Sequence, residues 1–506
     1  MNELAVLHSR ALCGMQAPEV QVEVHLANGL PSLTIVGLPD AAVREARDRV
    51  RAAIQHAGME MPRRRMTVNL SPADLPKASS RFDLPIALGI LAASGQIDAR
   101  TLGQYAFAGE LSLSGQLRPI QGALATALAL ARSTPARAFI LPRDNAPEAS
   151  LARGLSVLPA ASLLEVCAHF SRHPQAPRLQ AWQGALPLAA PVYPDLAEVC
   201  GQQAAKRALE IAAAGSHSLL MIGPPGAGKT MLAMRFPGLL PPLDDDAALE
   251  VAALQSLDQP FRPEHWGRRP FRAPHHSASA PALVGGSSQP RPGEISLAHG
   301  GVLFLDELPE FPRHVLEVLR QPLEAGTITV SRAARQSEFP ARFQLLAAMN
   351  PCPCGYLGQT GASCRCTREQ IARYQQRISG PLLDRIDLRI DIAPVSSAEL
   401  TRARPGESTA QVAARVAQAH ARQQARQGCT NAHLEAAAVA RHCHLNQAAL
   451  RVMRDTMRKF QWSARSFHRV LRVARTIADL AGHEAVEAVH VGEAAQLRRG
   501  LPEADQ

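Results

Sequence analysis

The residues best equipped for chemistry form one run, Gly223-Pro224-Pro225-Gly226-Ala227-Gly228-Lys229-Thr230, in a chain of 506. Its glycines let successive backbone N–H groups turn inward around phosphate oxygens at the start of a helix. Lys229 offers a compact positive charge to β- and γ-phosphates, and the Thr230 hydroxyl offers a ligand to Mg²⁺. The flanks are those this Walker A pattern requires: the apolar run 218–222 (SLLMI) reads as a strand, and MLAMRFPGLL after Thr230 reads as a helix. Downstream, Gly301-Val302-Leu303-Phe304-Leu305-Asp306-Glu307 reads as a buried strand ending in an acid pair. Asp306 is expected in the Mg²⁺ shell, and Glu307 is expected to orient and polarise the attacking water, so hydrolysis is implied rather than binding alone. An isolated Asp-Glu after a strand could be a helix cap; pairing with Walker A makes that the lesser reading.

Three further constellations follow. The apolar run 343–349 ends in Asn350, placed to hydrogen-bond a γ-phosphate or the lytic water. In Gly380-Pro381-Leu382-Leu383-Asp384-Arg385-Ile386-Asp387, Arg385 either makes a local ion pair or reaches into a neighbouring copy's site, where it would stabilise charge on the transferred phosphoryl group. Cys352, Cys354, Cys364 and Cys366 lie directly after Asn350. Four thiolates suit tetrahedral Zn²⁺, but the C-x-C spacing departs from the usual C-x2–4-C, so structural zinc stands beside free thiols or a redox pair.

The elements that must position these groups fall into three regions and a linker. Residues 1–168 alternate β-rich runs (QVEVHLANG, SLTIVGLP, RMTVNLSP) with helical ones (AAVREARDRVRAAIQHAG, PIALGILAASG). A polar, proline-bearing stretch, 169–194, reads as a linker. Residues 195–394 follow the strand, glycine loop and helix order of an α/β nucleotide-binding core. In 395–506 strand signals give way to Ala- and Arg-rich helical periodicity, an all-α lid. The chain carries a net charge of +10, and residues 396–506 hold sixteen Arg/Lys against ten Asp/Glu, which favours anionic partners without naming one. Of the 54 lysines and arginines only Lys77, Lys206, Lys229 and Lys459 are lysine, and one of these falls in the phosphate loop, where a point charge is wanted rather than a planar fork. No apolar run reaches the ~18 residues of a bilayer span and MNELAVLHSR is no export signal, so a cytoplasmic protein without a membrane partner is expected. Nine scattered cysteines argue against a disulfide framework.

The segments FRAPHHSASAPALVGG, PRPGEISLAHGGVLFLDELPEF, AMNPCPCGYLG, SGPLLDRIDL and SARSFHRVLRVARTIADL resemble the magnesium-chelatase-like AAA+ ATPases of the YifB/ComM group, over essentially the whole chain. The resemblance implies an α/β AAA+ P-loop NTPase core with an all-α C-terminal lid, working with ATP and Mg²⁺ as a closed hexamer. It implies that Asn350 is sensor 1, Arg385 the arginine finger and Arg465 the sensor 2 arginine, with Arg469 as the fallback. It also implies two pore-facing insertions, one at 271–294 with Arg272, His275, His276 and Arg291, the other a hairpin after 327–331 with Arg332 and Arg335 near its tip. Basic loops of this kind can grip a phosphate backbone irrespective of sequence. His275 and His276 read equally as loop structure, and a metal site there lacks the remaining ligands.

The N-terminal region is similar to the Lon-protease-like α+β fold through GELSLSGQLRPI (109–120). In that register the dyad serine falls at Ile86 and the dyad lysine at Leu124. Neither side chain can attack a carbonyl or move a proton, so proteolysis is not expected. The YifB/ComM resemblance implies instead an ATP-driven helicase and branch-migration motor on single-stranded and branched DNA, acting in natural transformation and recombination alongside a recombinase. The alternative is the motor subunit of a metal chelatase, against which the fused N-terminal domain counts.

Overall fold

The computed structural model describes residues 3–75, 77, 79–184, 190–286, 291–332, 335–358, 364–394, 406–498 and 501. The N-terminal strands are β1 (Leu4–Arg10), β2 (Glu19–Ala27), β3 (Ser32–Val36), β4 (Arg65–Ser71), β5 (Tyr105–Phe107), β6 (Glu110–Leu111), β7 (Leu117–Arg118), β8 (Ala138–Pro142) and β9 (Val157–Ala160). Seven of them form a mixed sheet in the order β3-β4-β2-β1-β5-β8-β9, and β6 with β7 makes a separate small hairpin. β2 alternates, burying Val20, Val22, Val24 and Leu26 on one face, the pattern of a sheet with one covered side. The cover includes the wholly buried helix Asp83–Ala93.

The second sheet is built on different rules. Its strands β10 (Leu219–Ile222), β11 (Phe271–Arg272), β12 (Val302–Leu305), β15 (Gln344–Met349) and β16 (Leu388–Asp391) stand in the order β11-β12-β15-β10-β16. All four pairings are parallel. β10, β12 and β15 are buried at every position, as expected where helices cover both faces. Between β12 and β15, the strands β13 (Thr327–Arg332) and β14 (Arg335–Pro340) form an antiparallel hairpin in which Arg332 pairs with Arg335 at the distal end.

Helices follow from Thr409: Thr409–Gln427, Ala436–His442, Gln447–Phe460, Ala464–Ala481 and Ala488–Gln496. The first is closed by a capping box at Ser408 and Gln411 and ends on Gly428, in the left-handed region. Its Gln423 donates to the Ala214 carbonyl at 3.0 Å, tying it to the helix Gln203–Gly215 beside the second sheet. A second tie is charged: Arg469, in the helix Ala464–Ala481, donates to the buried Asp387 carboxylate at 2.6 Å. Asp387 also accepts from the Ser218 amide and hydroxyl, each at 3.2 Å, just before β10. One carboxylate thus fastens three elements. Among the described residues no helix is long and apolar enough to cross a membrane.

The two sheets' domains meet along helix Ala123–Ala131 and helix Asp245–Ser256. The Gly122 amide donates to the Ser256 carbonyl at 2.9 Å, and Leu124 is buried against Ala252 and Ala253. Ile86 is buried inside the helix under the first sheet. The two positions that the Lon resemblance assigns to a serine and a lysine are therefore both packing positions here.

Burial pushes the Asp387 carboxyl up, but His217 and Arg469 more than reverse this and hold it far below the usual carboxylate range. A depressed carboxyl stabilises the fold above its unfolded pKa near 4 and loses that contribution as the pH falls further. Asp387→Ala leaves Arg469 without its partner, which should cost on the order of 3 kcal/mol. In thermal melts the deficit relative to wild type should be full at pH 7 and shrink below about pH 4; a deficit independent of pH would show that the charge is not what stabilises.

Candidate nucleotide site

Because β10, β12 and β15 run parallel, their carboxyl ends open on one edge of the sheet, where ligands of open α/β sheets bind. Gly223 follows β10, Asp306 follows β12 and Asn350 follows β15. A cleft of about 440 Å³ lies there, lined by residues 225–231, Asp306, Glu307, Met349 and Asn350. Gly226 and Gly228 take φ of 76° and 87°, a conformation that side chains oppose and that turns backbone N–H groups toward an anion. Helix Lys229–Arg235 begins directly afterwards.

Lys229 donates to the carbonyls of Gly223 at 2.7 Å and Pro224 at 2.8 Å, and to Asn350 Oδ1 at 3.2 Å. Burial lowers its pKa, and Asp306 and Glu307 oppose that shift. The Thr230 hydroxyl donates to Asp306 Oδ2 at 2.7 Å. A hydroxyl and a carboxylate in contact are the two protein groups that an octahedral Mg²⁺ takes as neighbours beside nucleotide phosphates. The site therefore fits MgATP, with Lys229 facing phosphate charge. Glu307 itself sits in the left-handed region, φ 53° and ψ 45°, an unfavourable backbone for a residue with a side chain and one that concentrates at functional sites.

The arginines expected to complete the site lie elsewhere. Arg385 is only 10% exposed, ion-paired with Glu324, and donates to the Pro381 carbonyl at 2.8 Å. Arg465 is exposed in the first turn of helix Ala464–Ala481 and does not line the cleft. Arg469 is engaged by Asp387 and by the Arg385 carbonyl at 3.0 Å. This leaves Arg465 the freer of the two sensor 2 candidates. On the first insertion Arg272 makes a fork with Glu294, both contacts 2.6 Å. The His275 ring lies 4.0 Å from that of His276, tilted by 35°, and its Nδ1 contacts Ser277 Oγ at 2.8 Å. His276 contacts Glu307 Oε2 at 2.9 Å. Arg272 and His276 thus have partners within the chain, which the reading of a basic loop had not foreseen. Arg291 is exposed. Arg332 and Arg335 hold the expected hairpin positions, while their side chains lie outside the described part of the structure. The His276–Glu307 contact joins residues far apart in sequence, and no spacing rule announces it.

The four cysteines converge beside this cleft. Cys352 Sγ lies 3.4 Å from Cys354 Sγ, and each is 3.6 Å from Cys364 Sγ. With Cys366 all four sulfurs fall within 4.8 Å of one another. Tetrahedral Zn–S bonds of 2.3 Å would set sulfurs about 3.8 Å apart, whereas a disulfide needs about 2.05 Å. Gly355, φ 85°, follows Cys354 in this turn, and a Cβ there would come within 2.6 Å of Pro225 Cδ. The cysteine knuckle therefore rests on the phosphate loop itself.

The signature described as "Magnesium chelatase, subunit ChlI" matches residues 195–400, and those of "Subunit ChlI of Mg-chelatase" and "Magnesium chelatase, subunit ChlI C-terminal" match 22–145 and 406–498. The competence protein ComM of Haemophilus influenzae is 50% identical over 500 residues, covering 98% of this chain and 97% of its own length. The chain belongs to the YifB/ComM group of magnesium-chelatase-like AAA+ proteins. YifB of Salmonella typhimurium is 48% identical, again over 98% of this chain and 97% of its own length. A 67 kDa magnesium-chelatase subunit of Heliobacterium mobile is 26% identical over 31% of this chain and 28% of its own. Membership in this AAA+ family implies ATPase activity with ATP and Mg²⁺.

Lys229→Ala removes the only lysine in the cleft. It should weaken binding of a fluorescent ATP analogue about 10- to 100-fold, the worth of charge-assisted hydrogen bonds. An unchanged affinity would exclude Lys229 from phosphate binding.

Proposed function

We propose that the chain is an ATP-hydrolysing hexameric motor on DNA, a helicase and branch-migration enzyme that promotes integration of single-stranded DNA in natural transformation and recombination. The observation that carries the motor reading is the cleft: Lys229 with Asn350 and Thr230 with Asp306 are hydrogen-bonded, and together with Glu307 they line one space. In this reading Lys229 binds β- and γ-phosphates, Thr230 and Asp306 hold Mg²⁺, Glu307 polarises water and Asn350 senses the γ-phosphate. Residues 195–394 are the motor core, 395–506 the lid and 1–168 a Lon-like domain supporting the ring, joined by 169–194. Arg385 and Arg465 stand away from the cleft of their own chain, so an adjoining copy supplies them, which calls for a closed ring. Arg385 leaves Glu324 as that interface forms.

The DNA half of the reading draws on the name of the relative identical at half of its positions, a competence protein, and on the net positive charge of +10. Arg291, Arg332 and Arg335 are the contacts it favours. A chelatase-type motor that remodels a protein partner is supported by the three ChlI signatures and by the partial match to the chelatase subunit. Beside the motor site, Cys352, Cys354, Cys364 and Cys366 hold a structural Zn²⁺ that braces Pro225 and Asn350 from behind.

Purified protein should hydrolyse ATP faster with single-stranded DNA and move a four-way junction; failure of both leaves the chelatase-type reading. Glu307→Gln should bind ATP, hydrolyse it at least ~100-fold more slowly and accumulate as an assembled ring. Wild-type turnover in that variant would remove the role given to Glu307. Metal analysis should find one zinc per chain, lost on Cys352→Ser with weakened ATP affinity; four reactive thiols and no metal would end the zinc assignment.

A further inference from the structure

The helical region carries a row of arginines without partners. Helix Gln447–Phe460 buries Ala449 and Met453 and packs against helix Ala488–Gln496. Arg451, Arg454 and Arg458 are exposed, and their i, i+3, i+7 spacing sets them on one face. Among the described residues none of the three makes an ion pair or a side-chain hydrogen bond. Asp455 is the single acid in the helix. Arg451 with Arg454 and Arg454 with Arg458 are like-charge neighbours that oppose the helix they stand on. The helix dipole favours cations in the last turn, which accounts for Arg458 and Lys459 but not for Arg451 in the second turn or Arg454 in mid-helix. Helix stability therefore does not explain the row.

An aromatic pair closes the same helix. Phe460 is 38% exposed, and its ring lies 5.6 Å from that of Trp462 with 19° between the planes. Gln461 between them is left-handed, φ 48°, which ends the helix and lets the two rings face each other. Trp462 packs against the buried core of the helical region, so the pair is anchored from below. The Lys459 ammonium lies 5.6 Å from the Phe460 centroid, an exposed contact given up at little cost.

We propose that this helix face and the Phe460–Trp462 pair form a second single-strand site on the helical region, with Arg451, Arg454 and Arg458 against successive phosphates and a base stacked on Phe460. It rests on the DNA reading above and adds a contact outside residues 271–294 and 327–340. From Arg451 to Arg458 the helix rises about 10 Å, room for three phosphates at about 3.4 Å per stacked nucleotide. Guanidinium forks on phosphates beside an aromatic face for bases hold single strands irrespective of sequence. A duplex hides its base faces and would leave Phe460 without a role. An acidic surface on a neighbouring copy would neutralise the arginines but leave the exposed ring pair unexplained.

The test is the anisotropy of a fluorescein-labelled thymidine oligonucleotide titrated with the full-length chain between about 50 and 200 mM salt. In the triple variant Arg451→Gln/Arg454→Gln/Arg458→Gln, glutamine keeps the helix propensity. Its slope of log affinity on log salt should flatten by about 2, the worth of three phosphate contacts on a single strand, while ATP hydrolysis without DNA and ring size stay as in wild type. Phe460→Leu should lose about 5- to 100-fold in affinity, the worth of one stacked base, at an unaltered salt slope. Circular dichroism checks that each variant is folded. A triple variant with the wild-type slope, or one whose ring assembly changes while the slope does not, overturns the proposal; the second result would give the arginines to a neighbouring copy. Full affinity in Phe460→Leu overturns the stacking half. A wild-type chain that binds no oligonucleotide would defeat the DNA reading itself, whereas binding that the triple variant leaves untouched defeats only this site.

Discussion

Everything at the cleft depends on an ammonium group kept almost out of water. Lys229 is held by two backbone carbonyls and one amide oxygen, and those acceptors exist only because the phosphate loop folds back over the end of β10. The loop can do so because glycine at 226 and 228 admits φ values closed to other residues. It stays there because Pro225 is backed by the turn at Gly355. The buried strands beneath provide no affinity for a ligand. They supply rigidity, and without it the charges at their carboxyl ends would relax toward one another instead of staying apart for a triphosphate.

A second theme is that charged side chains singled out by the sequence are paired within the chain. Arg385 is fastened to Glu324, Glu307 to His276, and Arg469 to Asp387. The last of these is of a different kind: its carboxylate is buried and hydrogen-bonded on several sides, so it is a fastening between the helical region and the sheet. The first two each keep one partner well exposed, and pairs of that kind exchange partners at little cost. Burial separates the fixed pair from the exposed ones.

Much of this was legible in the sequence, for identifiable reasons. The runs 218–222 and 301–307 carry both a hydrophobic pattern and the polar residues that terminate it, so β10 and β12 and the residues beyond them could be named in advance. The antiparallel strands β2 and β4 betray themselves by alternation. Less visible was β1, an ordinary-looking N-terminus whose partners are β2 and β5, and β5 itself, too short to set a period. The site shows the same division. Motif residues that act through the backbone or through one fixed neighbour were legible, whereas the pairings of Arg272, His276 and Arg385 depend on which loops the sheet order brings side by side. The cysteine spacing, C-x-C twice rather than C-x2–4-C, weakened the case for a metal, yet a tight turn at Gly355 closes the sulfurs to within 4.8 Å all the same.

The seam between helices Ala123–Ala131 and Asp245–Ser256 sets a limit on what these positions can become. Leu124 is fully buried there, its side chain packed against Ala252 and Ala253. Placing a lysine at 124 and a serine at 86 would not make a protease of this scaffold; it would put a charge into a largely apolar joint and pry the two sheets' regions apart.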